Sequence, residues 1–219
     1  ATASSFEAGG GVITNIVYHA PDATEFNSEV TAVGKGSPDA IVGILFPATG
    51  CGVLQPAFEQ GLLDTPWYMT DGVKDAGLAS LCGLGTALDG MKGTAPGSAA
   101  GEAFDAFSAA YSQVSADGAG TFIFAPQAYD AVMLMAISAA ANGVTGPDIA
   151  SGLVAASSGG EKCIGVACIE LAANGVDVDY VGASGEIELN EAGDPTAATY
   201  DIWTTEGDTN PVLKSVDLG

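Results

Sequence analysis

From residue 12 to residue 70, short apolar runs rich in β-branched residues alternate with stretches of helical periodicity, and this alternation restricts the fold more than any other feature. Residues 12–18 (VITNIVY) form such a run, bounded by glycines and by Pro21, and predict a buried strand. Residues 23–34 carry Phe26, Val30 and Val33 at helical spacing, with Asp22 or Thr24 as the candidate cap and Gly34 as the stop. Residues 37–45 (SPDAIVGIL) predict a turn and a strand. Residues 52–61 predict a short helix entered through a glycine-rich loop at 47–52, and residues 66–70 predict a further strand. The order βαβαβ implies an α/β three-layer sandwich, with a mainly parallel sheet and right-handed crossovers.

Composition excludes some partners. A chain of 219 residues with 47% apolar residues can bury a sizeable core. Against 27 acidic residues it has five lysines and no arginine, so its formal charge of −22 repels a polyanion and excludes nucleic acid. Acidity of this kind predicts a solvated surface on a secreted protein, in keeping with a saline habitat. No apolar run approaches the roughly 20 residues that cross a bilayer, and no secretory leader or lipobox cysteine is present. Residues 1–5 do not read as a natural start, and the chain is expected to be a piece of something longer.

The four cysteines, Cys51, Cys82, Cys163 and Cys168, form no CxxC pair, and the lone His19 cannot complete a zinc site with them. No metal or other cofactor is expected. An even number in an exported protein predicts two disulfides, Cys163 with Cys168 around a small loop and Cys51 with Cys82 between two loops; free buried thiols are the alternative.

In an open parallel sheet the ligand crevice lies outside the carboxyl ends of the strands. Two loops occupy that position, 46–52 (FPATGCG) and 70–75 (TDGVKD). In the second, Thr70 ends a strand, and Asp71 follows directly with Gly72 permitting a tight turn. From pattern alone, Asp71 either faces the crevice or caps a helix beginning near Val73. In the first loop, Phe46 is a core residue or a ligand contact, while Thr49 offers a hydroxyl and Gly50 an amide to an anionic group. Trp67 and Tyr68 alternate along their strand and face opposite sides.

The remainder continues the alternation. A glycine-rich passage at 90–101 precedes a helix with Phe104, Phe107 and Tyr111 on one face, a packing feature. In residues 120–143 (GTFIFAPQAYDAVMLMAISAAANG), Pro126 stands just ahead of a helix in which Ala128, Val132, Met135 and Ala139 recur at helical spacing, and Asn142 and Gly143 stop it. Tyr129 and Asp130 within it read as packing rather than as a site. Pro147 and Asp148 open another helix through Leu153 and Val154. Residues 178–181 and 185–189 predict strands, 190–194 (NEAGD) a tight turn rather than a calcium loop, and 200–204 (YDIWT) a last strand.

Residues 120–143, together with 180–194 (YVGASGEIELNEAGD) and 37–46 (SPDAIVGILF), resemble the second half of periplasmic solute-binding proteins of the branched-chain amino acid, LivJ-like type, the type I periplasmic binding proteins. The resemblance implies an extracytoplasmic protein, secreted or lipid-anchored at full length. It would bind an amino acid or similar small polar ligand between two lobes and pass it to the membrane permease of an ABC importer. Residues 1–96 and 183–219 would build the second lobe, with 97–182 returning to a first lobe whose N-terminal part is missing. That return segment would leave apolar helix faces uncovered and would need the missing first-lobe sequence, another copy or a separate chain. The resemblance also assigns the ligand's α-ammonium group to an acidic residue at Asp71, with Asp here where the best-known members have Glu, and places an aromatic side chain near the ligand at Phe46.

Two other classes of function stand beside this one. An enzyme is disfavoured, since no nucleophile elbow, no cysteine–histidine pair and no phosphate loop is present. A structural or assembly module without a transport ligand is the alternative, and Asp71 discriminates, because only a binding role requires it in an open cleft.

Overall fold

The computed structural model describes residues 2–20, 22–74, 77–97, 100–115 and 123–218. The chain runs α1 (Thr2–Ala8), α2 (Asn27–Val33), β1 (Ile41–Gly43), α3 (Pro47–Glu59), β2 (Trp67–Met69), α4 (Leu78–Leu81), β3 (Lys92–Pro96), α5 (Glu102–Val114), α6 (Ala125–Asn142), α7 (Gly146–Ala156), β4 (Glu161–Cys163), α8 (Val166–Ala173), β5 (Val178–Gly182), β6 (Gly185–Glu186), β7 (Ala198–Thr204) and β8 (Val212–Leu218). It divides into two compact units, Ala1–Ala95 with Ile202–Lys214, and Pro96–Asp201 with Ser215–Gly219.

In the first unit β1, β2 and β3 pair in parallel, and the five-stranded sheet has the order β1-β2-β3-β7-β8. Strand alternation turns Ile41, Leu45, Trp67, Met69 and Ala95 toward one core, where they meet Phe26 and Val30, Leu54 and Ala57 of α3, and Trp203. Trp67 is thereby the buried partner of the pair and donates its indole N–H to the Leu62 carbonyl at 3.0 Å, while Tyr68 faces out. On the opposite face of β1 and β2, Val42, Ile44 and Tyr68 are exposed.

Three expectations need correction here. Residues 12–18 are not a buried strand: they belong to no ladder, and Val12 and Tyr18 are 79% and 86% exposed. β-Branched composition favours a strand only where a neighbour supplies hydrogen bonds. The glycine-rich stretch 47–52 is no entry loop but the first turns of α3, with Pro47 at a position where a missing amide proton costs little. The second helix begins at Asn27, and Phe26 occupies its cap without a side-chain bond, so neither Asp22 nor Thr24 caps it.

In the second unit β4 and β5 pair in parallel and β5 and β6 antiparallel. Met133, Leu134 and Ile137 of α6 share a core with Ala156, Cys168, Ala172, Val178 and Tyr180. The stripe of Ala128, Val132 and Met135 therefore faces solvent, since apolar residues occur on both sides of this helix. Thr145 and Asp148 cap α7 reciprocally, with the Asp148 amide donating to Thr145 Oγ1 at 3.4 Å. Residues 120–122, part of the most distinctive sequence stretch, lie outside the described residues. Both disulfides are present in the expected pairing, with Cα separations of 4.9 Å for Cys51–Cys82 and 5.4 Å for Cys163–Cys168.

Candidate functional site

The ends of β1 and β2 bring two short segments of the first unit side by side. β1 continues in extended conformation to Phe46, whose ring is 62% exposed, and α3 begins at the next residue. Thr70 follows β2, and Asp71–Val73 form a single 3-10 turn with Val73 fully buried. Two glycines allow the approach. A Cβ built on Gly50 would stand 3.2 Å from Val73 Cγ1, and one built on Gly72 would run into the Leu45 carbonyl oxygen and stand 3.2 Å from Phe46 Cδ1. Gly72 thus lets the backbone beside Asp71 lie against Leu45 and Phe46, a contact that any side chain would push apart.

Within this arrangement the five candidate residues differ in what they present. The Asp71 carboxylate is half-buried and makes no side-chain hydrogen bond or ion pair with any described residue. It does not cap a helix: the turn it opens shows no side-chain cap bond, and the following α4 starts after Gly77. Thr70 is half-buried beside it, and Phe46 projects its ring next to Gly72. Thr49 and Gly50 are placed otherwise. Thr49 is buried, with its hydroxyl donating to the Phe46 carbonyl at 3.3 Å and accepting from the Phe46 amide at 3.4 Å. The Gly50 amide donates to the Phe46 carbonyl at 2.8 Å. Neither therefore presents a free donor, because the segment expected as an open loop is helical. Asp75, the end of the expected second loop, lies outside the described residues.

Another carboxylate carries more structure than its sequence context suggests. Asp130 of α6 is 2% exposed and accepts four hydrogen bonds: Tyr180 Oη at 2.8 Å and the Ala183 amide at 2.7 Å on Oδ1, and the Ser184 amide at 2.7 Å and Ser184 Oγ at 2.6 Å on Oδ2. A Cβ on Gly182 would stand 2.6 Å from Asp130 Oδ2, so the glycine makes room for the carboxylate. Burial, reinforced by the charge of Asp130, holds the Tyr180 hydroxyl above its ordinary pKa, and the same two causes raise Tyr129. All four donors come from the protein itself, so the arrangement fixes the β5–β6 turn to α6 and leaves no acceptor open. The signal was the spacing of Gly182-Ala183-Ser184-Gly185, a tight turn in need of an acceptor for its amides.

An open depression of 310 Å³ lies at the amino ends of β2 and β3, between Asp64, Pro66, Asp89 and Lys92, and includes none of the five candidate residues. Among the described residues no group of three His, Cys, Asp or Glu side chains is placed to hold a metal ion. No described helix is long and apolar enough to cross a membrane.

A parallel α/β sheet with a carboxylate beyond the carboxyl end of β2, unpaired among the described residues, has the layout of open sheets in which ligands lie at strand ends. Residues 7–208 match the receptor family ligand binding region, and the chain belongs to that family. A search of the curated proteins returned no match. Among solved structures, the leucine binding protein LivK of Thermotoga maritima shares the fold with a TM-score of 0.71 at 18% identity, over 97% of this chain and 54% of that one. LivJ of Streptococcus pneumoniae, in complex with isoleucine, matches with a TM-score of 0.70 at 19% identity over 99% and 55%. A solute binding protein of an ABC transporter from Rhodopseudomonas palustris HaA2, in complex with p-hydroxybenzoic acid, matches with a TM-score of 0.69 at 20% identity over 98% and 55%. The fold is thus that of the type I periplasmic binding proteins, and the chain spans little more than half the length of these proteins.

Proposed function

We propose that the chain is part of an extracytoplasmic solute-binding component of an ABC importer, which takes an amino acid or a similar small ligand with a cationic pole. The observation that carries this reading is the Asp71 carboxylate, half-buried at the carboxyl end of β2 and free of any described partner. An acidic side chain left without a counter-charge at a strand end suits a ligand ammonium group, and the adjacent Phe46 ring offers an apolar or cation–π surface to the same ligand. Thr70 supplies a neighbouring hydroxyl. Thr49 and Gly50 contribute by holding Phe46 and by leaving space for Val73.

The bound ligands of the solved structures include isoleucine and p-hydroxybenzoic acid. The chain contains no arginine, and an unpaired aspartate repels a carboxylate, so an amino acid suits this surface better than an aromatic acid. A first lobe, on the same polypeptide or a separate chain, would close over the ligand, and a membrane permease would receive it. Residues 1–96 and 183–219 then correspond to the second lobe.

Calorimetry of the complete binding protein with a panel of amino acids and benzoates tests the reading. Asp71→Asn is expected to weaken amino-acid binding roughly tenfold to a hundredfold, the worth of a charge-assisted contact of about 1.5–3 kcal/mol, and to weaken a neutral ligand less. Unchanged amino-acid affinity in Asp71→Asn removes Asp71 from the site, and binding of benzoates alone replaces the ligand class.

A further inference from the structure

Beyond β1 and β2 the described groups suited to a cation outnumber those suited to an anion. A ligand there meets the half-buried Asp71 carboxylate, the Thr70 hydroxyl and the exposed Phe46 ring. Groups suited to an anion are engaged elsewhere. α3 starts at this end of the sheet, and a helix amino terminus favours a carboxylate through its open amides. Pro47 has no amide proton, however, and the Thr49 and Gly50 amides both donate to the Phe46 carbonyl, at 3.0 and 2.8 Å, which leaves Ala48 in the first turn. The Thr49 hydroxyl is engaged with Phe46 as well. Lys74, three residues after Asp71, has a partner of its own, and the chain has no arginine.

We propose that the ligand of this site carries net positive charge: a small amine or alkylammonium ion whose carboxylate is absent or masked as an amide. The inference rests on Asp71 as a ligand contact and narrows the chemistry it accepts. In an α-amino acid a single carbon separates the ammonium group from the carboxylate. Wherever Asp71 holds the ammonium, the ligand's own carboxylate therefore lies within a few ångströms of Asp71, and like charges at that distance in a partly dry cleft offset much of the attraction. A ligand without that carboxylate keeps the attraction alone. The Phe46 ring, beside Gly72, offers a π surface to the same cation, which needs no hydrogen-bond donor and so extends acceptance to methylated ammonium groups. The field of the whole chain acts in the same direction, because a formal charge of −22 gathers cations and leaves a zwitterion unsteered.

Two matched pairs test this by calorimetry on the complete binding protein at about pH 6, where an α-amine is fully charged. They are isoleucine against isoleucinamide and glycine betaine against choline; in each pair the cationic group is kept and the carboxylate is replaced by a neutral group. The cation of at least one pair should bind at least about tenfold more tightly than its zwitterion, the amide where hydrogen bonding to Asp71 dominates and choline where Phe46 does. Raising sodium chloride from about 0.1 to about 1 M should weaken that cation several-fold and change the zwitterion little. Asp71→Asn should abolish the preference within the pair, and because the carboxylate accepts no bond from a described residue, the Tm should stay where it is. Phe46→Leu, which retains the backbone groups that cap α3, should weaken choline more than isoleucinamide. Binding of both zwitterions as tightly as their cations or more tightly overturns the proposal, as does failure of either cation to bind. If the zwitterions bind more tightly and Asp71→Asn weakens them, Asp71 remains the ligand contact and the net charge alone is wrong; if Asp71→Asn alters no affinity, Asp71 itself leaves the site.

Discussion

Two aspartates show how environment divides one side chain between two uses. Asp130 is buried and saturated by donors from β5 and the turn after it, whereas Asp71 is half-buried and has no side-chain partner among the described residues. Asp130→Ala leaves the Tyr180 hydroxyl and the amides of Ala183 and Ser184 without an acceptor, and is expected to destabilise the protein by roughly 3–5 kcal/mol. Tyr180→Phe removes one donor from a carboxylate that keeps three, and should cost about 1.5–3 kcal/mol. Urea unfolding of both variants checks the order, and an equal loss in the two would mean that the turn amides find another acceptor. The distinction between these aspartates was only half legible in the sequence. Asp71 follows an apolar run and precedes a glycine, which places it at a strand end; nothing around Asp130 shows that a turn more than 50 residues later supplies its donors. The engagement of Thr49 and Gly50 within α3 is hidden in the sequence for a related reason. A Pro-Ala-Thr-Gly stretch suits an open loop or a helix start equally, and the difference lies in whether Phe46 is there to accept and donate the capping bonds.

At the scale of elements, strands flanked by helices were legible where alternation was strong, as at β1, β2, β5 and β7. β3, β4 and β8 were not, because Lys92–Pro96 lies within a glycine-rich passage, Glu161–Cys163 is three residues long, and Val212–Leu218 is exposed on nearly every residue. Residues 12–18 fail in the opposite direction, having strand composition without a ladder. The disulfides act at this scale as well. Cys51–Cys82 ties α3 to the end of α4 across a separation of 31 residues, and Cys163–Cys168 ties the end of β4 to α8 across 5. Loop-closure entropy predicts about 3.7 kcal/mol for the longer closure and about 2 kcal/mol for the shorter. Paired Cys→Ala variants compared by urea unfolding should reproduce that ranking. A larger loss from the short loop would show that it acts through native packing around Cys168 rather than through the unfolded chain.

The charge of the whole molecule sets its demand on solvent. With 27 acidic residues against five lysines, of which Lys162 pairs with Glu186 at 2.7 Å, the folded chain gathers far more negative charge than its cations can offset. Self-repulsion of that kind weakens the compact state more than the expanded one, and dissolved salt relieves it. Raising sodium chloride from 0.1 to 1 M shortens the screening length from about 10 Å to about 3 Å. A relief of about 2 kcal/mol would raise the Tm of a chain this size by roughly 4–8 °C. Calorimetry across that range should therefore show Tm rising with salt. Replacing the exposed Glu59 and Glu191 by lysine, which changes the net charge from −22 to −18 because each exchange adds two, should flatten the slope. A Tm that stays level or falls with salt would mean that the carboxylates lie far enough apart to be independent, and that the acidity of the surface serves hydration alone.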